Sequence, residues 1–210
     1  MIKNIVFDMG NVLIAWDPPM LVRRLGLSKD DQQILVREVF GCSEWAGLDR
    51  GTLGPEEALS LVAPRLPERL YAAALACMAE WWKGPLVPIP GIAELIAELK
   101  AMSYRIYLLS NATSCLHEYF PRIPGSEYFD GMIVSADWKR LKPEHELYEI
   151  LFENYSLTPG ECFFIDDNPL NIDAARCLGM PGTVFFGDAM RLRSELIRCG
   201  IPVKSETDCT

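Results

Sequence analysis

Four short stretches of the chain hold residue types able to do chemistry, and each follows an apolar run. Asp8 closes Ile5-Val6-Phe7, Ser110-Asn111 closes Ile106-Tyr107-Leu108-Leu109, and Asp166-Asp167-Asn168 closes Phe163-Phe164-Ile165. The fourth, Arg140-Leu141-Lys142-Pro143, comes after Met132-Ile133-Val134. Singly, each has an ordinary structural reading: a strand-end Asp caps a helix or turn, a Ser closes a turn, a Lys before Pro starts a solvated helix. In the order acid, Ser, Lys, Asp-Asp they have a joint one. Two or three carboxylates held together cannot all stay ionised without a cation, because each raises the others' pKa. Mg²⁺ is the natural answer, being hard, oxygen-seeking and usually held by one or two carboxylates, waters and a substrate phosphate. The Ser110 hydroxyl, the Asn111 backbone N–H and the Lys142 ammonium supply donors and charge for the equatorial oxygens of a phosphoryl group. Asp8, partly desolvated where its strand leaves the core, is then placed to attack in line, and an aspartyl-phosphate splits one hard hydrolysis into two easier steps.

For these groups to meet, the runs that carry them must be parallel strands sharing one edge. The first strand, Ile2 to Phe7, includes the continuous apolar run of a strand buried on both faces, and ligands of open α/β sheets gather at the carboxyl ends. Gly10 allows a tight backbone after Asp8, while Asn11 tolerates unusual φ and can turn the chain with its own side chain. From Pro85, Pro88, Pro90 and Gly91 onward, helix and strand alternate. Helices are expected at Ile92 to Met102, Thr113 to Phe120, Glu144 to Asn154, Asn168 to Leu178 and Met190 to Cys199. Strands are expected at Arg105 to Ser110, Gly131 to Ser135, Cys162 to Asp166 and Thr183 to Phe186. Strict alternation implies an α/β fold, a doubly wound parallel sheet covered on both faces. Residues 15–88 read differently, as helix without strand pattern. Ser28 is an N-cap with Asp30 and Asp31 behind it, a helix from Leu53 to Val62 carries the start cue Thr52-Leu53-Gly54-Pro55-Glu56-Glu57, and another spans Pro67 to Trp82. The expected organisation is a core of residues 1–14 and 89–203, an inserted four-helix cap of residues 15–88, and a flexible tail of residues 204–210.

Composition bounds the function. With 210 residues the chain can bury roughly 70–75% of its unfolded surface. A formal net charge of -9 argues against an electrostatic grip on nucleic acid or anionic membrane. No apolar run approaches the roughly 18 residues of a membrane span. Seven cysteines without a CxxC pair, and no recognisable signal peptide, suggest a reduced cytoplasmic protein. Only two histidines, His117 and His145, are present, too few for a His-rich zinc site, and both are expected on helix surfaces.

The four stretches resemble the motifs of the haloacid dehalogenase superfamily of phosphatases and related hydrolases. Phe7-Asp8-Met9-Gly10-Asn11-Val12-Leu13 is similar to the first, Leu109-Ser110-Asn111 to the second, Lys142-Pro143 to the third and Phe164-Ile165-Asp166-Asp167-Asn168 to the fourth. The helical insert lies where that superfamily places a type 1 cap. The resemblance is to the branch of bacterial sugar-phosphate phosphatases reading Asp-x-Gly-Asn-Val. It implies a Rossmann-like fold, Mg²⁺ and a small phosphorylated metabolite as substrate, in a monomer or homodimer. It also implies Asp8 as nucleophile and metal ligand, the Gly10 carbonyl, Asp167 and Asp166 at the metal, Ser110 and Asn111 on the phosphate, and Lys142 bridging nucleophile and phosphate.

One departure has chemical weight. Most phosphatases of this superfamily carry a second Asp two residues after the nucleophile, which protonates the leaving oxygen and then activates water; here that position is Gly10. A positioned acid or base is worth about 10²–10⁴ in rate, so slow turnover, or turnover of good leaving groups alone, is expected. Asp17 or a cap residue are candidates to substitute, and Trp16, Glu44, Trp45, Asp49 and Arg50 are candidates to face the pocket. Trp45 is expected chiefly as cap core, and Trp81-Trp82 as buried in the cap. The alternatives are a non-catalytic ligand-binding or partner-binding relative, favoured by Gly10, and a haloacid dehalogenase, whose branch also lacks the second Asp but needs no metal and has no paired acid like Asp166-Asp167.

Overall fold

A computed structural model describes residues 1–204. Five parallel strands, β1 (Asn4–Phe7), β2 (Arg105–Ser110), β3 (Gly131–Val134), β4 (Cys162–Asp166) and β5 (Gly182–Val184), form one sheet in the order β3-β2-β1-β4-β5. The chain leaves β1 towards β2 and β3, then crosses back to lay β4 on the other side of β1. The crevice between β1 and β4 is therefore the switch point of the sheet, where ligands of such folds bind.

The central strands are apolar on both faces because both are covered. Ile5, Phe7, Ile106, Leu108, Phe163 and Ile165 enter one buried cluster, whereas Val6, Tyr107, Leu109, Cys162 and Phe164, at the alternate positions, enter the other.

Between β1 and β2 the chain builds its own third apolar cluster from Val22, Leu35, Val39, Trp45, Leu48, Ala58, Val62, Leu70, Ala74 and Met78. It holds five α-helices, α1 (Pro18–Arg23), α2 (Lys29–Leu35), α3 (Ser43–Arg50), α4 (Pro55–Val62) and α5 (Tyr71–Glu80), one more than the four expected. The extra helix is α3. It starts without a capping side chain such as the Ser28 of α2 and without a proline and paired acids such as the Pro55-Glu56-Glu57 of α4, so its start has no terminal signal. The expected N-cap is in place, Ser28 accepting from the Asp31 N–H at 3.2 Å. Two crossing segments join this helical unit to the sheet and hold each other: Ala15 N–H donates to Val87 O at 2.8 Å and Ile89 N–H to Leu13 O at 2.9 Å.

In the remainder, α6 (Ile92–Ala101) precedes β2 and α7 (Leu116–Tyr119) precedes β3. A single turn, α8 (Ser135–Trp138), and then α9 (His145–Tyr155) lead to β4, α10 (Pro169–Cys177) to β5, and α11 (Ala189–Arg198) closes the chain. The expected helix at Thr113 begins only at Leu116, because residues 111–115 run over the sheet edge as loop. The last strand ends at Val184 and leaves Phe186 exposed; Gly182 lies opposite Phe164, whose carbonyl oxygen would stand 2.5 Å from a Cβ there. Lys204 N–H is tied to the Glu98 carboxylate, and the rest of the expected tail lies outside the described residues. No helix among the described residues is long and apolar enough to cross a membrane. All six cysteines among them are free thiols.

Candidate active site

Asp8 leaves β1 with its N–H bonded to Ile165 O of β4 at 2.9 Å, which binds the first acid to the strand that ends in the Asp166-Asp167 pair. One carboxylate oxygen from each of Asp8, Asp166 and Asp167 lies within 4.8 Å of the others. Oxygens this close can share one small ion, since Mg²⁺–oxygen distances are near 2 Å and an octahedral ion separates its ligands by roughly 3–4 Å. Oxygen-only donors, gathered beside one ammonium, suit a hard divalent cation.

Lys142 completes the floor. Its ammonium is almost wholly buried and spends its three donors on Asp8 Oδ1 and Asp166 Oδ2, both at 2.7 Å, and Leu109 O at 2.8 Å. Burial alone pulls a lysine pKa down, but the flanking Asp166 and Asp8 charges outweigh it and hold Lys142 above its usual value. For Asp8, burial dominates and pushes the carboxyl up to about 7 against the opposing pull of Lys142. A carboxyl buried beside Asp166 makes the electrostatic demand that a metal answers.

The residues around this floor are held by amides. Asn11, in the left-handed region at φ 54°, accepts from Trp16 N–H and donates to Asp167 Oδ2, both at 2.9 Å. Asn171, in the first turns of α10, donates to both oxygens of the fully buried Asp166 at 3.0 Å, and Asn168 N–H bonds Asp166 Oδ1 at 2.8 Å. Asn111 turns its amide away from the pocket to clamp the Lys142 backbone, accepting from its N–H at 2.8 Å and donating to its C=O at 2.9 Å. The peptide bond that follows, Lys142–Pro143, is cis. Ser110 ends β2 buried, and its hydroxyl has no hydrogen-bond partner among the described residues.

Above this floor is a cavity of about 220 Å³, lined by Asp8, Gly10, Asn111, Lys142 and Asp167 from below and by Trp16, Trp45, Asp49 and Trp81 from the helical side. The indole rings of Trp45 and Trp81 stand 5.4 and 4.8 Å from that of Trp16, forming one apolar wall. Of the residues expected to face the pocket, Trp16, Trp45 and Asp49 do so. Glu44 is drawn off by Arg65 at 3.0 Å and Arg50 by Glu144, with Nη1 and Oε2 at 3.0 Å. Asp17 caps α1 by accepting from Met20 N–H at 3.0 Å, and does not line the cavity. Trp45 serves both as cap core and as pocket wall. Trp81 is a wall residue as well, wedged against Tyr119 with ring centroids 5.4 Å apart. His117 and His145 are exposed, His117 paired with Asp137 at 2.7 Å.

Sequence reasoning missed Asn11 as a support for Asp167, and missed Asn171 altogether. Asn171 was findable: it falls five residues after Asp166, in a helix that Pro169 starts at once, so its side chain stays beside the strand end. Trp81 was not, because a residue at the far end of the insert reaches the pocket only after the helical unit folds back.

Comparison with known proteins agrees with this geometry. A family model described as haloacid dehalogenase-like hydrolase matches residues 2–179. The sesquiterpene phosphatase astK of Aspergillus oryzae is 26% identical over 204 residues, covering 94% of this chain and 97% of its own. The D-ribitol-5-phosphate phosphatase of Bacteroides thetaiotaomicron is 27% identical over 191 residues, covering 85% and 89%. A HAD family enzyme of Bacteroides thetaiotaomicron, solved in complex with magnesium and inorganic phosphate, shares the fold with a TM-score of 0.64 at 24% identity, over 91% of this chain and 99% of that one. The strand order, the four motif stretches at one sheet edge and the family match over residues 2–179 lead to one conclusion: the chain belongs to the haloacid dehalogenase-like hydrolase family.

Proposed function

We propose that the protein is a Mg²⁺-dependent phosphomonoester hydrolase acting on a small phosphorylated metabolite, such as a sugar phosphate, through an aspartyl-phosphate. The observation that carries the reading is the floor itself: three carboxylates within 4.8 Å of one another and an ammonium 2.7 Å from the first of them, at the bottom of a small cavity. Asp8 and Asp167, with the Gly10 carbonyl, would hold the ion. Asp166, its oxygens already engaged by Lys142, Asn168 and Asn171, would add its charge from beneath and keep Lys142 in place. When bound, Mg²⁺ supplies positive charge that favours ionised Asp8 and screens an incoming phosphate from the acids.

Asp8 Oδ would attack phosphorus in line, the ester P–O bond would break, and water would later release phosphate from Asp8. Lys142 would hold the nucleophile and the transferred group together. The unpaired Ser110 hydroxyl and the Asn111 backbone N–H would take equatorial oxygens; a buried hydroxyl left unpaired costs about 1–3 kcal/mol, a penalty that a phosphate oxygen removes. The indole wall and Ile14 would receive the alcohol portion.

The test is phosphate release from a panel of small esters with and without Mg²⁺, beside Asp8→Asn. Release that requires the metal and disappears in the variant is expected. Metal-independent halide release from 2-haloacids, or specific ligand binding with no turnover of any ester, would overturn the reading.

A further inference from the structure

Two features on opposite walls of the cavity complement each other. On the floor, Gly10 stands two residues past Asp8 and offers a carbonyl but no acid. Opposite, in the last turn of α3, Asp49 puts a carboxyl into the same cavity. The other carboxylates lining it, Asp8 and Asp167, belong to the acidic cluster on the floor. Asp17 and Glu44 are spent on a helix cap and on Arg65, so Asp49 is the lining carboxyl that comes from the helical unit.

Asp49 is also held in position by contacts between the end of α3 and the sheet domain. Ser135 Oγ, at the end of β3, donates to Asp49 O, and the Lys139 ammonium donates to Gly51 O. Gly51 sits at φ 69° with its backbone pressed on α8, where a Cβ would meet Ala136 O at 2.5 Å. Arg50 and Glu144 form a forked ion pair alongside. The chain from Asp49 to Gly51 is thus clamped to α8 and to the stretch that delivers Lys142. Burial, opposed by Trp45 and aided by the Asp8 charge, pushes Asp49 up to about 8.

We propose that Asp49 is the general acid and base of this active site, delivered by the cap helix in place of the side chain that Gly10 lacks. The assignment rests on the phosphatase reading above. In the first step Asp8 bonds to phosphorus, the ester P–O bond breaks, and the proton of the Asp49 carboxyl passes to the leaving oxygen to give the free alcohol. In the second, water bonds to phosphorus as its proton passes to the Asp49 carboxylate, and the bond between phosphorus and Asp8 breaks. Inorganic phosphate leaves, and both acids return to their starting states. The other charged residues that line the cavity are Asp8, Asp167 and Lys142, and of these Asp8 raises the Asp49 carboxyl.

The test compares wild type, Asp49→Asn and Asp49→Asn with Gly10→Asp, each with Mg²⁺, on an alkyl phosphate and on 2,4-dinitrophenyl phosphate, whose leaving group needs no proton. Asp49→Asn is expected to lose about 10²–10⁴-fold on the alkyl ester. On the dinitrophenyl ester it should release about one equivalent of phenolate in a burst, then turn over slowly, because the second step has lost its base. Gly10→Asp should recover alkyl-ester turnover by tenfold or more; Gly10 has an ordinary φ, and a Cβ there meets only Trp16 Cβ at 3.7 Å. Equal losses on both esters with no burst, or an alkyl-ester rate equal to that of a working wild type, would overturn the assignment while leaving the phosphatase reading intact. A wild type inert toward every ester would overturn both.

Discussion

Lys142 Nζ lies 2.7 Å from Asp166 Oδ2, and neither side chain has more than 1% of its surface exposed. A buried pair of this kind is a poor source of net stability but costly to break from one side, because the remaining charge has no solvent. Asp166 also gathers Asn168 N–H and Asn171 Nδ2, so the pair is the node through which β4 and α10 hold the acidic floor.

The adjacent acids should therefore separate experimentally. Asp166→Asn is expected to destabilise the fold by about 3–5 kcal/mol, the cost of stranding a buried partner. Asp167→Asn, half-buried and held by Asn11, should unfold close to wild type but bind Mg²⁺ far more weakly. Urea denaturation and calorimetric titration of Mg²⁺ measure the two effects, and equal stability losses would refute the division of roles.

The Asp8 carboxyl carries a pH signature. Its ordinary value of 3.8 rises to about 7 in the folded chain, chiefly through burial. Between those values the folded state keeps a proton that the unfolded state releases, so this group lowers stability as pH rises from 3.8 to about 7. Asp8→Asn should remove that slope, so that the Tm difference between variant and wild type moves in the variant's favour as pH rises from 5 to 8. Mg²⁺ should raise the wild-type Tm more at pH 8 than at pH 5. A gap between variant and wild type that is constant with pH would contradict the burial of the acid.

Gly51→Ala tests the clamp. The left-handed backbone costs an alanine about 1–2 kcal/mol, and a Cβ 2.5 Å from Ala136 O forces the α3 end off α8. Lower stability in urea and an alkyl-ester rate reduced more than the dinitrophenyl-ester rate are expected. Gly26, also at positive φ but with nothing within 4 Å of a Cβ, is the control: its alanine variant should lose stability without changing that ratio.

The ion pair between Arg50 and Glu144 joins the helical unit to the loop before α9, with each side chain about one-third exposed. At that exposure a double-mutant cycle should yield less than about 1 kcal/mol, declining with salt. A coupling of several kcal/mol would mean that the pair is far better shielded than its exposure implies.

Much of this protein is legible from local pattern. The apolar runs ending in Asp8, Ser110 and Asp166 announce buried parallel strands, because only a sheet covered on both faces tolerates Ile5-Val6-Phe7 or Phe163-Phe164-Ile165 without a polar break. Polar residues that follow such runs emerge at one edge, so the convergence of Asp8, Asp166 and Asp167 follows from chain direction, whereas Lys142, beyond α8, is brought in by the clamp of Asn111 on its backbone. Other features had no local signal. Helix α3 escaped detection because neither a capping side chain nor a proline opens it; Trp81 reaches the pocket only through the return of the insert; and the Asn111 amide clamps the backbone of Lys142, far from it in sequence. Periodicity and chain direction depend on neighbours in sequence, and they determined the sheet, its edge and the acids on it. Which carboxyl faces Asp8 across the cavity depends on how one folded unit is fastened to another, through Gly51 on Ala136 and Ser135 on Asp49, and only the tertiary structure decides that.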